Sequence, residues 1–380
     1  MRVYLDNAAT TVLDREVLEA MLPFMTEHFG NPSSIHGHGG KVKAAIEQAR
    51  KKVANCLGAS PSEVFFTSGG TEADNTAIRC AVESLNIRHA ISSPLEHHAV
   101  LHTLEDLSKE SKITLNLVKH DNKGNIDLGH LEELLAQQPN ALVSLMHGNN
   151  EIGNLLPKAA VGSLCQQYGA FFHSDTVQTV GHYPLNVQEA KVHSIAGAAH
   201  KFHGPKGIGF MYLSSERKIK PFITGGSQER NMRGGTENVY GIIGLAHALE
   251  QEYLHLEQNR KHITALKTYM IERLKTQFTD IQFNGESANL DRSLYTVLNV
   301  SFPPSEDNDM LLFNLDIQKI SASGGSACSS GSSVGSHVLN ALQVSKERGN
   351  VRFSFSKYNT KDEIDYTIQK LTEILNFQTV

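Results

Sequence analysis

The chain has 380 residues, 40% hydrophobic and 20% charged, a globular balance with length enough for two domains of unequal size. A net charge of −5 and a pI near 6.4 argue against the basic face that nucleic-acid binding needs. No apolar run is long enough to span a bilayer, "MRVYLDNAATT" has no signal-peptide core, and four cysteines without paired spacing make no disulfide framework, so a cytoplasmic α/β protein is expected.

In chain order, "DREVLEAMLPFM" sets Val17, Leu18, Met21, Leu22 and Met25 at helical spacing, with Asp14 as its N-cap. Short apolar runs follow: "EVFFTSG", "HAISSP", "ITLNLV", "ALVSLMH", "AFFHSD", "VHSIAGA" and "IGFMYL". Helical stretches such as "TEADNTAIRCAVESL" separate most of them. The alternation predicts βαβ units, a mainly parallel sheet, and a ligand site at the strands' carboxyl ends. From "ENVYGIIGLAHALEQEYLHLEQNRKHITALKTYMIERLK" the pattern becomes one very long helical stretch. Scattered strands and helices then predict a smaller α+β domain. The expected division is a large domain over 14–255 and a small one from 1–13 and 256–380. The Ser/Gly-rich "SGGSACSSGSSVGS" lies inside the second.

Several strand ends carry chemistry-bearing residues. In "TSGGTEADN", Gly70, Thr71 and the helix amides could hold a phosphate against the positive helix end, though many strand-to-helix turns contain glycine. "PLEHHAV" offers His97 for stacking or proton transfer, and "NNEIG" offers Asn150 as an amide donor. Asp175 ends "AFFHSD", where a carboxylate could pair with a pyridinium nitrogen; a helix N-cap is the commoner role. Lys201 follows small residues that admit a planar group, and desolvation there would favour the nucleophilic amine. On that segment alone, a surface lysine in a polar turn is the commoner account. Cys56, Cys80 and Cys165 sit on apolar helical faces and read as core. The histidines of "SIHGHGG" and "EHHAV" have no convincing metal-ligand spacing.

Taken together, "YLDNAATT", "FGNPSSIH", "TSGGTEADN", "EHHAV", "NNEIG", "HSDTVQTVGH", "HKFHGPKGIG", "RGGTENV", "SGGSACSSGS" and "VRFSFS" resemble the NifS/IscS-type cysteine desulfurases, of the class V aminotransferase-like pyridoxal-phosphate fold. The resemblance implies aminotransferase fold type I and pyridoxal 5′-phosphate bound to Lys201 as a Schiff base. It also implies Asp175 on the ring nitrogen, Asn150 and Gln178 near the phenolic oxygen, and His97 over the ring. Gly70, Thr71 and His200 would take the phosphate, and Thr236 that of a neighbouring subunit in a homodimer. Arg352, with Asn31, would bind the substrate carboxylate. Cys328 would attack the sulfur of L-cysteine, carry it as a persulfide on a mobile loop (about 321–336), and pass it to acceptor proteins for iron–sulfur cluster assembly or tRNA thiolation. One departure is Ala198, where relatives often have a phosphate-binding serine. The alternatives on the same fold are selenocysteine lysis or transamination, which need no enzyme thiol, and a non-catalytic sulfur-transfer scaffold. The chain ends at "NFQTV" without the longer tail that housekeeping members use to dock their scaffold, which puts transfer by that surface in doubt.

Overall fold

The computed structural model describes residues 1–305, 308–324 and 335–375. Strand β1 (Val3–Tyr4) precedes helices α1 (Arg15–Thr26) and α2 (Gly37–Leu57). Asp14 occupies the α1 N-cap position, yet its side chain makes no capping bond. Its oxygens accept instead from Lys357 Nζ and the Tyr358 hydroxyl, both at 2.6 Å. Pairing with the Lys357 ammonium adds a full charge–charge attraction that a bond to a backbone amide lacks.

Seven strands then form the main sheet: β2 (Val64–Thr67), β3 (His89–Ser92), β4 (Thr114–Leu117), β5 (Leu142–Ser144), β6 (Phe171–Asp175), β7 (Ser194–Ala198) and β8 (Gly209–Leu213). Their spatial order is β2-β8-β7-β6-β5-β3-β4, and β8 alone runs against the others. The intervening helices are α3 (Gly70–Ser84), α4 (His98–Lys109), α5 (Leu128–Gln137) and α6 (Lys158–Gln167). Strands buried on both faces need continuous apolar runs, and their alternate residues feed two cores. Val143 and Phe172 pack with Val42, Val53 and Leu245 on one side, while Leu142 and Phe171 pack with Ala77, Ile78 and Leu104 on the other.

The predicted single long helix is two: α7 (Val239–Leu254) and α8 (Leu256–Gln277), broken at His255. The break lets α7 place Ile242, Leu245 and Leu249 in the main core while α8 turns Ile263, Met270 and Leu274 into a separate one. That second core gathers most of the remaining elements: β9 (Gln282–Phe283), β10 (Val297–Pro304), α9 (Leu311–Ile317), β11 (Ile320–Ser321), β12 (Arg348–Ser354) and α11 (Lys361–Ile374), while α10 (His337–Ala341) packs Val338 and Leu339 against Leu95 and Ile152 in a cluster of its own. Strand β10 pairs antiparallel with β12 and β9. The N-terminus joins the same end of the molecule, since β1 pairs parallel with β11 and places Val3 and Leu5 in this core. No helix among the described residues is long and apolar enough to cross a membrane.

Candidate active site

The strand-to-helix turns after β2, β3, β5, β6 and β7 open on one edge of the sheet, and a cavity of about 210 Å³ lies there. It brings together Gly70, Thr71, His97, Asn150, Asp175, Gln178, Ala198, His200, Lys201 and Arg352. A larger cavity of about 430 Å³ adjoins it and shares Met146, but its wall holds neither the lysine nor Asp175.

The turn after β2 explains its glycines. A Cβ on Gly70 would stand 2.7 Å from Val177 Cγ2, so only glycine lets the two turns meet. Gly69 at the α3 N-cap has no side chain with which to satisfy the first-turn amides. Uncapped amides at the positive end of a 15-residue helix, beside Thr71 and His200, could hold an anion. His200 accepts or donates at Thr10 Oγ1, 3.2 Å away. Burial, and then the charges of Lys201 and Lys206, bring its pKa down to about 4.

Lys201 follows β7 in a short turn, and its Nζ donates to the carbonyls of Ala8 (2.5 Å) and Ala9 (3.0 Å). The N-terminal segment therefore walls the site, a contact spanning more than 190 residues. Gln178 braces the same segment through an Nε2–H bond to Ala8 O at 3.0 Å. Asp175 is buried at the end of β6, with Oδ1 accepting the Val177 amide at 2.8 Å. Burial raises its pKa to about 6, against the opposing pull of that amide and of Lys201. His97 caps α4 by accepting the Ala99 amide on Nδ1 at 3.1 Å, which leaves the ring proton on Nε2. Burial first, then the charges of Lys201, His337 and His102, push its pKa to about 4, so the ring is neutral at pH 7.

Arg352 enters from β12 and is 1% exposed. Nη1 donates to Asn150 O at 2.8 Å and Nη2 to Asp6 Oδ1 at 2.9 Å, while Nε has no partner. A guanidinium carries five N–H donors, so one on each Nη remains for a planar acceptor.

Cys328 lies outside the described residues. The chain on either side of that segment is anchored beside the cavity. Ser323 exchanges backbone hydrogen bonds with Arg352, and Ser336, the N-cap of α10, binds Glu151. His337 Nε2 meets Glu96 O at 2.9 Å, next to His97. Two other expected residues stand apart from this cavity within one chain. Asn31 is exposed and accepts the Ser33 amide of its own turn at 2.9 Å. Thr236 is exposed beside a different pocket with Arg233 and Asn238. Asp74, which the motifs did not single out, does line the cavity. Its signal was the helical spacing that sets it one turn beyond Gly70. Cys80 and Cys165 are buried, Cys56 partly so, and burial raises all three thiols.

A family model described as aminotransferase class-V matches residues 3–367. The chain is 44% identical to a cysteine desulfurase IscS of Dictyoglomus turgidum over 98% of this chain and 94% of that one. It is 40% identical to a cysteine desulfurase of Trichormus azollae, over 98% and 92%. A solved NifS-like protein superposes with a TM-score of 0.91 at 37% identity, covering all of both chains. A structure described as SspA in complex with cysteine superposes with a TM-score of 0.81 at 30% identity, over 95% of this chain and all of that one. The chain belongs to the aminotransferase class-V family, in the company of its cysteine desulfurases.

Proposed function

We propose that the chain is a pyridoxal-phosphate-dependent cysteine desulfurase, which converts L-cysteine to L-alanine and takes the sulfur onto Cys328. The observation that carries this is the meeting of Lys201, Asp175, His97 and the spare donors of Arg352 in one cavity, with Ser323, Ser336 and His337 bound beside it. The residues fit the cofactor: an uncapped helix start with Thr71 and His200 for a phosphate, a buried carboxylate for a ring N–H, and a lysine amine for a carbonyl carbon. When bound, pyridoxal phosphate supplies the electron sink that accepts the pair left by the departing Cα proton.

The chain's own groups do the rest. Arg352 holds the substrate carboxylate with parallel N–H bonds and so binds the substrate in the cavity. Lys201 Nζ takes the Cα proton, and His97, neutral at pH 7, is placed for proton transfer at the leaving sulfur. The Cys328 thiolate attacks that sulfur: the S–S bond forms, the Cβ–S bond breaks, and its electron pair stays on carbon, where a proton completes alanine. The enzyme keeps the sulfur as a persulfide for an acceptor thiol. Selenocysteine lysis and transamination need no such thiol, so Cys328→Ser separates them from desulfuration.

We also propose that the main sheet with the cores on its two faces, and the separate core around α8, mark two domains, over 14–255 and over 1–13 with 256–380, and that the protein works in the cytoplasm as a homodimer. Leu18, Leu22, Met25 and Phe29 repeat at helical spacing along α1 and beyond it, all exposed, a face suited to a second copy. In such a dimer Thr236, and Asn31 by the same logic, would serve the partner's cavity. The test is to load the protein with pyridoxal phosphate and add L-cysteine with a reducing acceptor. Equal yields of alanine and sulfide, with sulfide lost in Cys328→Ser, support the reading; pyruvate in place of alanine overturns it.

A further inference from the structure

Asp74 and His173 have no part in the chemistry above, yet they sit behind it. Asp74 lies one helical turn inside α3, and His173 precedes Asp175 by two residues on β6, so it shares that residue's face of the sheet. Both are buried, at 1% and 0% exposure, with His173 Nε2 3.2 Å from Asp74 Oδ1. Asp74 also lines the cavity together with Asp175 and Lys201. A third carboxyl, Glu96, approaches from the turn after β3. Its Oε1 accepts the Met146 amide at 2.7 Å, and its Oε2 has no partner. Three carboxyls thus share one buried neighbourhood, in which three adjacent negative charges would be strongly unfavourable.

We propose that Asp74 is a positioning residue for the cofactor: it keeps its own proton and donates it to His173 Nε2, which leaves Asp175 as the carboxylate that faces the ring. The inference rests on the cofactor reading above. One anionic oxygen matches one ring N–H. A second anion beside it would raise the proton affinity of Asp175 and neutralise the group that must stay charged. Burial, with the charges of Asp175 and Glu96, drives the Asp74 carboxyl well above its usual range. Burial lowers the His173 imidazole to about 3, so the shared proton belongs on oxygen. With Nε2 accepting, the neutral ring carries its proton on Nδ1, a buried nitrogen that has no hydrogen-bond partner among the described residues.

The experiment compares wild type, Asp74→Asn, Asp74→Leu and Asp175→Asn. It measures pyridoxal-phosphate affinity of the apoprotein from pH 6 to 9, the absorbance of the loaded protein over that range, and the infrared carboxyl bands. Asp74→Leu strands Nε2 without a donor and should weaken cofactor binding by about tenfold. Asp74→Asn donates the same bond without charge and should restore affinity to within about threefold of wild type, with the pH profile unmoved. The protonated-carboxyl band of wild type should lose one component in Asp74→Asn. The proposal is overturned if Asp74→Asn weakens binding as much as Asp175→Asn, shifts the pH profile, or leaves the infrared band whole. The infrared band is read on apoprotein, so it decides the state of Asp74 independently. Wild type that never binds pyridoxal phosphate would overturn the cofactor reading instead.

Discussion

Replacing Arg352 with lysine keeps a positive charge at the cavity but removes the planar fork. The native guanidinium spends one N–H on Asn150 O and one on Asp6 Oδ1, and its buried Nε is unpaired. Two parallel donors therefore remain for a carboxylate, whereas an ammonium holding the same internal partners offers one. Loss of one charge-assisted bond costs about 2 kcal/mol, or roughly a thirtyfold fall in kcat/KM for L-cysteine. The carboxylate is not the reacting centre, so the bond is equally strong in ground and transition states and the loss should fall on KM. The assay is steady-state sulfide release by wild type and Arg352→Lys, run with L-cysteine and with cysteamine, which has the amine and thiol but no carboxylate. The variant should lose heavily on the first and nothing on the second, with its cofactor absorbance intact. A KM for cysteine within twofold of wild type, or an equal loss on both compounds, would refute carboxylate recognition by Arg352.

Further outcomes follow from other parts of the fold. Ala198 is buried at the end of β7 and lines the cavity beside the proposed phosphate cradle, so Ala198→Ser should tighten cofactor binding by about 1 kcal/mol, near fivefold, in equilibrium titration of the apoprotein. Arg50 and Glu229 form a buried bidentate pair at 2.6 and 2.8 Å, with Glu229 also accepting the Phe66 amide. Arg50→Met alone should destabilise by about 3–5 kcal/mol in urea unfolding, and Arg50→Met with Glu229→Gln by less, because no lone buried charge remains. Burial lowers the Lys267 ammonium to about 7, while the unfolded chain keeps that proton to about 10.5. The unfolded state then binds more protons between those values, so the lysine's contribution to stability rises with pH across that window and is flat below it. The stability difference between wild type and Lys267→Met should climb from pH 7 to pH 9; a constant difference would mean that the lysine is charged in the fold.

The parts of the site legible in sequence are those that sit next to a strand end. Gly70, His97, Asn150, Asp175 and Lys201 each follow a short apolar run, and the parallel topology carries those ends to one edge. What stayed hidden depends on contacts between distant segments. The carbonyls of Ala8 and Ala9 on Lys201, and Asp6 on Arg352, join positions hundreds of residues apart. No periodicity announces such pairs. Asp14 looked like a helix cap and is one by position, but its charge is taken by Lys357. The break at His255 was invisible because α7 and α8 are both helical in composition; only the division into two cores bends the chain there. Asp74 was passed over because an acid in a helix usually reads as solvated, and this one is 1% exposed.

The most direct test of the central claim is a single turnover. Protein loaded with pyridoxal phosphate receives one equivalent of L-cysteine without reductant, and the products are read by amino-acid analysis and peptide mass spectrometry. Desulfuration by Cys328 predicts one alanine per subunit and the mass of one added sulfur atom on the peptide that contains Cys328. Alanine formed with no added sulfur on that peptide, or the sulfur found on Cys56, Cys80 or Cys165, would contradict it.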